Sequence, residues 1–370
     1  MKNPLQESIY CERKIPKEHP IRGEFFRDQT AIIHSMPFRR LKHKTQVFFA
    51  PENDHVCTRI EHVMHVATIS ATICKGLNKY GWNLNQEMAY AIGLGHDLGH
   101  APFGHAGETA LNEKLNGDSK FIHEVNSYRV VQYLANDGKG LNLTYGVMDG
   151  IINHNGESFE QYLEPCTVKN DLDNIINRKS IASSYEGCIV RFADKIAYLG
   201  RDIEDALIAD FISINDIPQD IRDEVGTTNG QIIDMLIKDL IENSKGKSKI
   251  GFSDNLFEKL KILKNFNYRY IYNHPTILHY RKMGEQILKE LFDYLLELYS
   301  NNGYYYERYD NSHIILNQRF GRYLEKMKEF YNQNNNTPKQ IVCDYIAGMT
   351  DFFALEAIKQ IKIPQPIKFR

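Results

Sequence analysis

Three stretches that carry metal-binding side chains lie far apart in this chain, and a fold that uses them together must bring them back to one place. The densest is Gly95-His96-Asp97-Leu98-Gly99-His100-Ala101-Pro102-Phe103-Gly104-His105-Ala106-Gly107-Glu108, with three histidines and two acids in fourteen residues. In the His96-Asp97 pair an imidazole and a carboxylate can reach one cation from a single turn of backbone. That donor mixture suits hard-to-borderline divalent metals. His62 stands 34 residues before His96, and Asp194 stands 97 residues after Asp97. Together His62, His96, Asp97 and Asp194 supply two nitrogens and two carboxylates and leave room for water or phosphate oxygens, a set able to acidify bound water and polarise a phosphoryl oxygen. Because Asp194 must return to His62 and His96 across about a hundred residues, a single domain over residues 1–370 is expected. Its core spans about 50–215 and a C-terminal helical extension spans about 250–370.

The pattern between these stretches is helical. Apolar residues recur mostly at spacings of three and four and only 12 prolines interrupt 370 residues, so the expected class is all-α. Helices are expected from Asp28 to Leu41, from Thr58 (as N-cap) to about Tyr80, from Asn85 to Leu94, from Glu108 to Leu115, from His123 to Leu134, from Gly146 to His154 and from Ile181 to about Ile214. Beyond the linker-like Lys245-Gly246-Lys247-Ser248 come Asn267 to Tyr299, Ile314 to Tyr331 and Pro338 to Ile361. Thr45 to Pro51 reads as a brief strand or an extended turn, and Pro51-Glu52-Asn53-Asp54 as a loop.

Charge excludes some function classes. Lys+Arg of 45 against Asp+Glu of 47 leaves a net charge of -2, so no global field draws the chain to nucleic acid or to a membrane surface, and an anionic ligand needs a local basic pocket. No apolar run approaches membrane-spanning length, and the six cysteines are scattered without a Cys-x-x-Cys pair. A cytoplasmic protein with reduced thiols and no membrane partner is expected.

Helical spacing adds neighbours to the four candidate ligands. Arg59 and His62 share a face, which places a guanidinium beside the metal, sensible where phosphate lies between them. Asp194, Tyr198 and Asp202 repeat every four residues along one face, with Lys195 at its edge. Taken alone, Asp194 is equally well read as an acid paired with an arginine on a neighbouring helix. His65 reads as packed among helices, His100 as a structural histidine near the site, and His154 as the cap of a helix end. Glu124 and Asn126 either support His123 or start its helix. The cluster Arg39-Arg40-Lys42-His43-Lys44 reads as a solvated face or a subunit contact.

An ordered series of matches runs through nearly the whole chain: Arg27-Asp28, Ile33-His34-Ser35, Phe38-Arg39-Arg40-Leu41, Lys44-Thr45-Gln46-Val47, Thr58-Arg59-Ile60-Glu61-His62, His96-Asp97-Leu98-Gly99-His100, Pro102-Phe103-Gly104-His105, Gly107-Glu108, Ala193-Asp194-Lys195-Ile196-Ala197-Tyr198 and, near the end, Asp344-Tyr345-Ile346-Ala347-Gly348-Met349-Thr350-Asp351. In these motifs the chain resembles the HD-domain deoxynucleoside triphosphate triphosphohydrolases, the dGTPase-like group. Two places depart from the pattern: Glu61 stands where a small polar residue is commoner, and residues 156–177 match nothing in it.

The resemblance implies an HD-domain helical fold with additional C-terminal helices, one divalent metal ion per site and hydrolysis of a dNTP, dGTP first, to deoxynucleoside and inorganic tripolyphosphate. Magnesium, manganese, iron, cobalt and zinc are not distinguished by the ligands, with manganese or magnesium the first expectation for activity. It implies His62, His96, Asp97 and Asp194 as metal ligands, His105 next to the reacting α-phosphate, Glu108 orienting it, and His123 as a further acid-base group. Arg59, Lys195 and Tyr198 fall to phosphate, and Gln46 and Asp202 to the sugar. A homo-oligomer, tetramer or hexamer, is the implied assembly, and weak single-stranded nucleic-acid binding stays open as a further partner. The rival readings are an HD phosphohydrolase for a monophosphate or a signalling nucleotide, and a catalytically silent nucleotide- or ssDNA-binding protein.

Overall fold

The computed structural model describes residues 1–17, 21–49, 56–155 and 159–364. It is 66% helical and 2% strand, so the all-α class holds. Numbered in chain order, the helices of seven residues or more are α1 (Glu24–Ile33), α2 (Arg59–Asn78), α3 (Gln86–Gly95), α4 (His105–Leu115), α5 (His123–Arg129), α6 (Tyr145–Ile152), α7 (Tyr185–Ile208), α8 (Asn229–Ser244), α9 (Asp254–Asn267), α10 (Pro275–Asn302), α11 (Ile315–Gln333), α12 (Pro338–Ala347) and α13 (Asp351–Lys362). The loop expected over Pro51-Glu52-Asn53-Asp54 lies outside the described residues.

Local chemistry sets most helix starts. Asn85 accepts from the Met88 amide at 3.0 Å to open α3, and Ser184 accepts from the Gly187 amide at 3.1 Å to open α7. At α2 the departure residue Glu61 explains itself, because its carboxylate accepts the Thr58 N–H at 2.8 Å and closes a capping box. Glu61→Ala is therefore expected to lower stability by about 0.5–1 kcal/mol and Tm by about 1–3 °C in a thermal melt. An unchanged melt would show that water caps the helix equally well.

The C-terminal helices differ from the sequence expectation at three places. The run expected from Asn267 to Tyr299 is broken before Pro275, which starts α10 at the position where its missing N–H costs nothing. The run from Pro338 to Ile361 is broken after Ala347, and Thr350 caps α13 by accepting from the Phe353 amide at 3.1 Å. The linker-like Lys245 to Ser248 only turns the chain from α8 into β2 (Ile250–Gly251), which pairs antiparallel with β1 (Tyr162–Leu163). Ile250 and Phe252 are buried there, so packed elements flank it on both sides.

Two apolar cores result. The larger gathers α2, α3, α6, α7, α8 and α9 around residues such as Ile73, Leu77, Ile92 and Phe192. The helices α2 and α3 cross closely because Gly93 has no side chain: a Cβ there would sit 2.6 Å from the Ala67 Cα. The second core packs α4 against α10, α11, α12 and α13 through Leu111, Leu288, Phe292 and Phe320. The loop that carries His105 therefore runs between the two.

Candidate active site

The α2–α3 crossing decides which histidines meet. His62, one turn into α2, and His96, just past the end of α3, have ring centroids 5.4 Å apart. The middle of α7 brings in Asp194, whose Oδ1 lies 3.0 Å from His62 Nε2 and 3.8 Å from His96 Nε2. Asp97 Oδ1 is 3.5 Å from His96 Nε2. The alternative reading of Asp194 as paired with an arginine is thereby set aside, since its partner is His62.

This group fits a divalent cation by its own chemistry. His62, His96 and Asp194 each offer a ligand atom within 4.8 Å of the others. His96 Nδ1 donates to the Gly93 carbonyl at 2.7 Å, which fixes the proton there and leaves the Nε2 lone pair pointing into the group. Among the described residues that buried Nε2 has no hydrogen-bond partner. Buried polar atoms are rarely left so unless something binds them.

Arg59 Nη1 donates to Asp97 Oδ2 at 2.6 Å. Burial works to raise the Asp97 pKa, but the neighbouring His100 and His96 imidazoles and the Arg59 guanidinium prevail and hold it well below the carboxylate range. For Asp194 burial is likewise outweighed, by the hydrogen bond and charge of His62 and by His96, and its pKa is lowered.

A second set of groups adjoins the first. His105 begins α4 after Phe103 (φ 62) and Gly104 (φ 59), both left-handed, a backbone bend that glycine adopts freely and phenylalanine does not. The Gly99 amide donates to Ser127 Oγ at 2.9 Å and Asn126 donates to the Gly99 carbonyl at 2.7 Å, so Asn126 ties α5 to the His-Asp turn. His123 is thereby stacked on His100 with centroids 3.9 Å apart, and its Nδ1 donates to Glu108 at 2.9 Å. Arg178 completes the arrangement, reaching Glu108 at 2.8 Å and Glu124 at 2.7 Å.

The two histidines are thus set apart electrically. Burial lowers the pKa of His123, but the carboxylates of Glu124 and Glu108 more than offset it and raise the pKa to about 9. Burial also raises Glu108, yet His123 and Arg178 bring it down to about 2. His105 faces the open cavity with low-dielectric walls and the charge of His123 beside it, and its pKa is lowered to about 4.

Of these groups His62, Asp97, Asp194, His100, His105, Glu108, His123 and Arg178 line one cavity of about 660 Å³, which also takes in Gln46, Arg59, Tyr198, Asp202, Tyr272 and Arg281. Small-molecule sites commonly have that size. At its far side Tyr272 donates to Asp202 at 2.5 Å. Burial raises the Asp202 pKa to about 7, with the tyrosine bond opposing it.

Two readings need correction, those of Lys195 and Lys44, and one, that of His154, holds with an addition. Lys195 does not line this cavity: its buried ammonium donates to the Arg191 carbonyl at 3.3 Å and pairs with Glu160 at 3.5 Å. A residue next to Asp194 in sequence lies about 100° round a helix from it, which explains the difference. His154 does act as a helix end, with Nδ1 donating to the Ile151 carbonyl at 2.7 Å, but its ring also stands 4.9 Å from His96 and 5.4 Å from His123. Lys44, read as part of a solvated basic cluster, is buried. His65 lies half-buried outside the cavity, as expected.

Sequence reasoning missed Arg178, Lys264, Tyr268, Tyr272 and Arg281 in the cavity wall. Arg178 lies just past the stretch that matched no family pattern, whereas Tyr268 and Tyr272 carried a usable signal in their four-residue spacing.

Residues 59–199 match the HD domain and residues 250–360 the phosphohydrolase-associated domain. The chain is similar to proteins named deoxyguanosinetriphosphate triphosphohydrolase-like. The one from Caldanaerobacter subterraneus subsp. tengcongensis is 38% identical over 346 residues, covering 94% of this chain and 87% of that protein. Those from Desulfatibacillum aliphaticivorans and Clostridium tetani are 37% and 36% identical, covering 94% and 93% of this chain and 90% and 87% of theirs. No helix among the described residues is long and apolar enough to cross a membrane.

Proposed function

This chain belongs to the HD-domain family of deoxyguanosinetriphosphate triphosphohydrolase-like proteins, and from that premise we infer that its reaction is hydrolysis of a deoxynucleoside triphosphate to deoxynucleoside and inorganic tripolyphosphate, with dGTP the first substrate to test. The observation that carries this reading is one cavity lined by His62, Asp97 and Asp194, with His96 grouped behind them, by the His123–Glu108–Arg178 group and by the Asp202–Tyr272 pair. A triphosphate and a sugar both need recognition, and the cavity offers cations for one and a hydroxyl–carboxyl pair for the other.

A divalent cation held by His62, His96, Asp97 and Asp194 would polarise a phosphoryl oxygen and activate water. Arg59, Lys264 and Arg281 line the cavity and offset the charge of a polyphosphate, most strongly where charge develops. In the reaction a water oxygen bonds to the α-phosphorus, the bond from phosphorus to the sugar 5′-oxygen breaks, and that oxygen needs a proton. His123 enters carrying one at neutral pH and His105 enters neutral, so the pair offers a donor and an acceptor. Asp202, with Tyr272 against it, is placed to meet a sugar hydroxyl.

The test is turnover of each dNTP and its ribonucleotide counterpart with Mg²⁺ or Mn²⁺, resolving tripolyphosphate from pyrophosphate and orthophosphate. Tripolyphosphate with free deoxynucleoside is the expected outcome. Pyrophosphate with a monophosphate would overturn the assignment of the nucleoside as leaving group, and no hydrolysis of any triphosphate would overturn the reading altogether.

A further inference from the structure

The segment that ends in Asp351 takes no part in the chemistry above, yet its last residue holds two loops that lead into the cavity wall. Asp351, the first residue of α13, is buried. Its Oδ1 accepts the Phe103 N–H at 3.0 Å and its Oδ2 accepts the Thr45 N–H at 2.9 Å. One carboxylate thus joins two loops, since Thr45 precedes Gln46 in one wall and Phe103 precedes Gly104 and His105 in another. Beside it the buried Lys44 ammonium donates to the His100 carbonyl and, at 2.9 Å, to the Ala347 carbonyl at the end of α12. The Phe103 ring also meets Tyr280 of α10, centroids 5.9 Å apart.

The 101–105 loop needs such support. Phe103 holds a left-handed backbone (φ 62) that an aromatic residue keeps only where its surroundings over-determine it. An alanine at 351 would leave two N–H groups without their acceptor, the arrangement buried backbone avoids. An asparagine would keep one acceptor and turn an NH₂ toward the other N–H.

We propose that Asp351, with Lys44, is a positioning residue that holds the 101–105 loop so that His105 faces the cavity, and that the C-terminal helices thereby complete the active site. The proposal rests on the reading of the cavity as the hydrolytic site. The experiment uses the full chain as Asp351→Ala and Asp351→Asn, with amide hydrogen exchange over 99–106 and 44–48, divalent-metal affinity, thermal melting, kcat and KM.

The expected result for Asp351→Ala is faster exchange in those two segments alone, metal affinity within about twofold of the parent, and kcat lower by about 10–100-fold with KM changed far less. Asp351→Asn should fall between the two and decides the matter if the alanine variant does not fold. Unchanged exchange over 99–106 overturns the proposal, as does faster exchange with full kcat, or a kcat loss that only tracks the unfolded fraction. If the parent hydrolyses no dNTP, the functional reading fails by itself, and exchange over 99–106 still decides whether Asp351 holds the loop.

Discussion

Asp194→Ala is expected to yield a folded protein that no longer retains a divalent metal and whose kcat/KM is lower by about 10³-fold or more. Asp194 Oδ1 is the meeting point of the group, 3.0 Å from His62 Nε2 and 3.8 Å from His96 Nε2. Without it the two imidazoles keep only the Asp97 carboxylate, which Arg59 already engages. A 10³-fold loss corresponds to about 4 kcal/mol of transition-state stabilisation, within the several kcal/mol that a Lewis acid supplies at a phosphoryl group. His96→Ala should behave alike, because its buried Nε2 lies 3.8 Å from Asp194 Oδ1 and 3.5 Å from Asp97 Oδ1 and has no hydrogen-bond partner among the described residues. Metal content after gel filtration, measured beside turnover, separates a lost cation from a lost fold. Parent-level metal and turnover in either variant would remove that residue from the site.

The second large effect is expected at His123. Its loss in His123→Ala should lower kcat by about 10²–10⁴-fold, the usual contribution of a positioned proton donor, while metal content stays at the parent level. The pH dependence carries more information. His123 titrates near 6.5 in an unfolded chain and about 9 here. Its contribution to stability is therefore fully present below about pH 6.5 and is lost as pH rises through 9. The same proton is the one to be donated, so kcat/KM should decline on the alkaline side near pH 9. Glu108, brought down to about 2, contributes stability above the ordinary carboxylate range that is lost only as pH falls through 2, so it sets no limb at working pH. Glu108→Gln removes one of the two carboxylates that raise His123 and should move the alkaline limb to lower pH. A limb that does not move assigns the proton to another group.

Much of the candidate site was legible in the order of the amino acids, and for an identifiable reason. His62, His96-Asp97 and Asp194 carry donor types that are costly to bury without a cation or a partner, and the ordered motifs around them tie them to one family. The helical class followed from apolar spacing. What escaped was everything set by direction. Lys195 sits beside Asp194 in sequence and on another flank of the helix in space. Glu108 sits three residues from His105, yet its oxygens meet His123 and Arg178. Helix ends in the C-terminal half were misplaced where a proline or a threonine cap broke a continuous apolar pattern.

The amino-acid sequence by itself determined the class, the family and the candidate metal ligands, because these depend on composition, spacing and side-chain chemistry that do not change with the fold. Only the tertiary structure decided which neighbours each group keeps: Arg178 brought against Glu108 from just past the stretch without a family pattern, Tyr272 set against Asp202, and Asp351 returned from the C-terminal helices to the His105 loop. Those pairings arise from how helices cross and loops close over distances of 70 to 248 residues. The high pKa of His123 depends on position too, since burial works against the proton and the carboxylates of adjacent Glu124 and of Glu108 on α4 outweigh it.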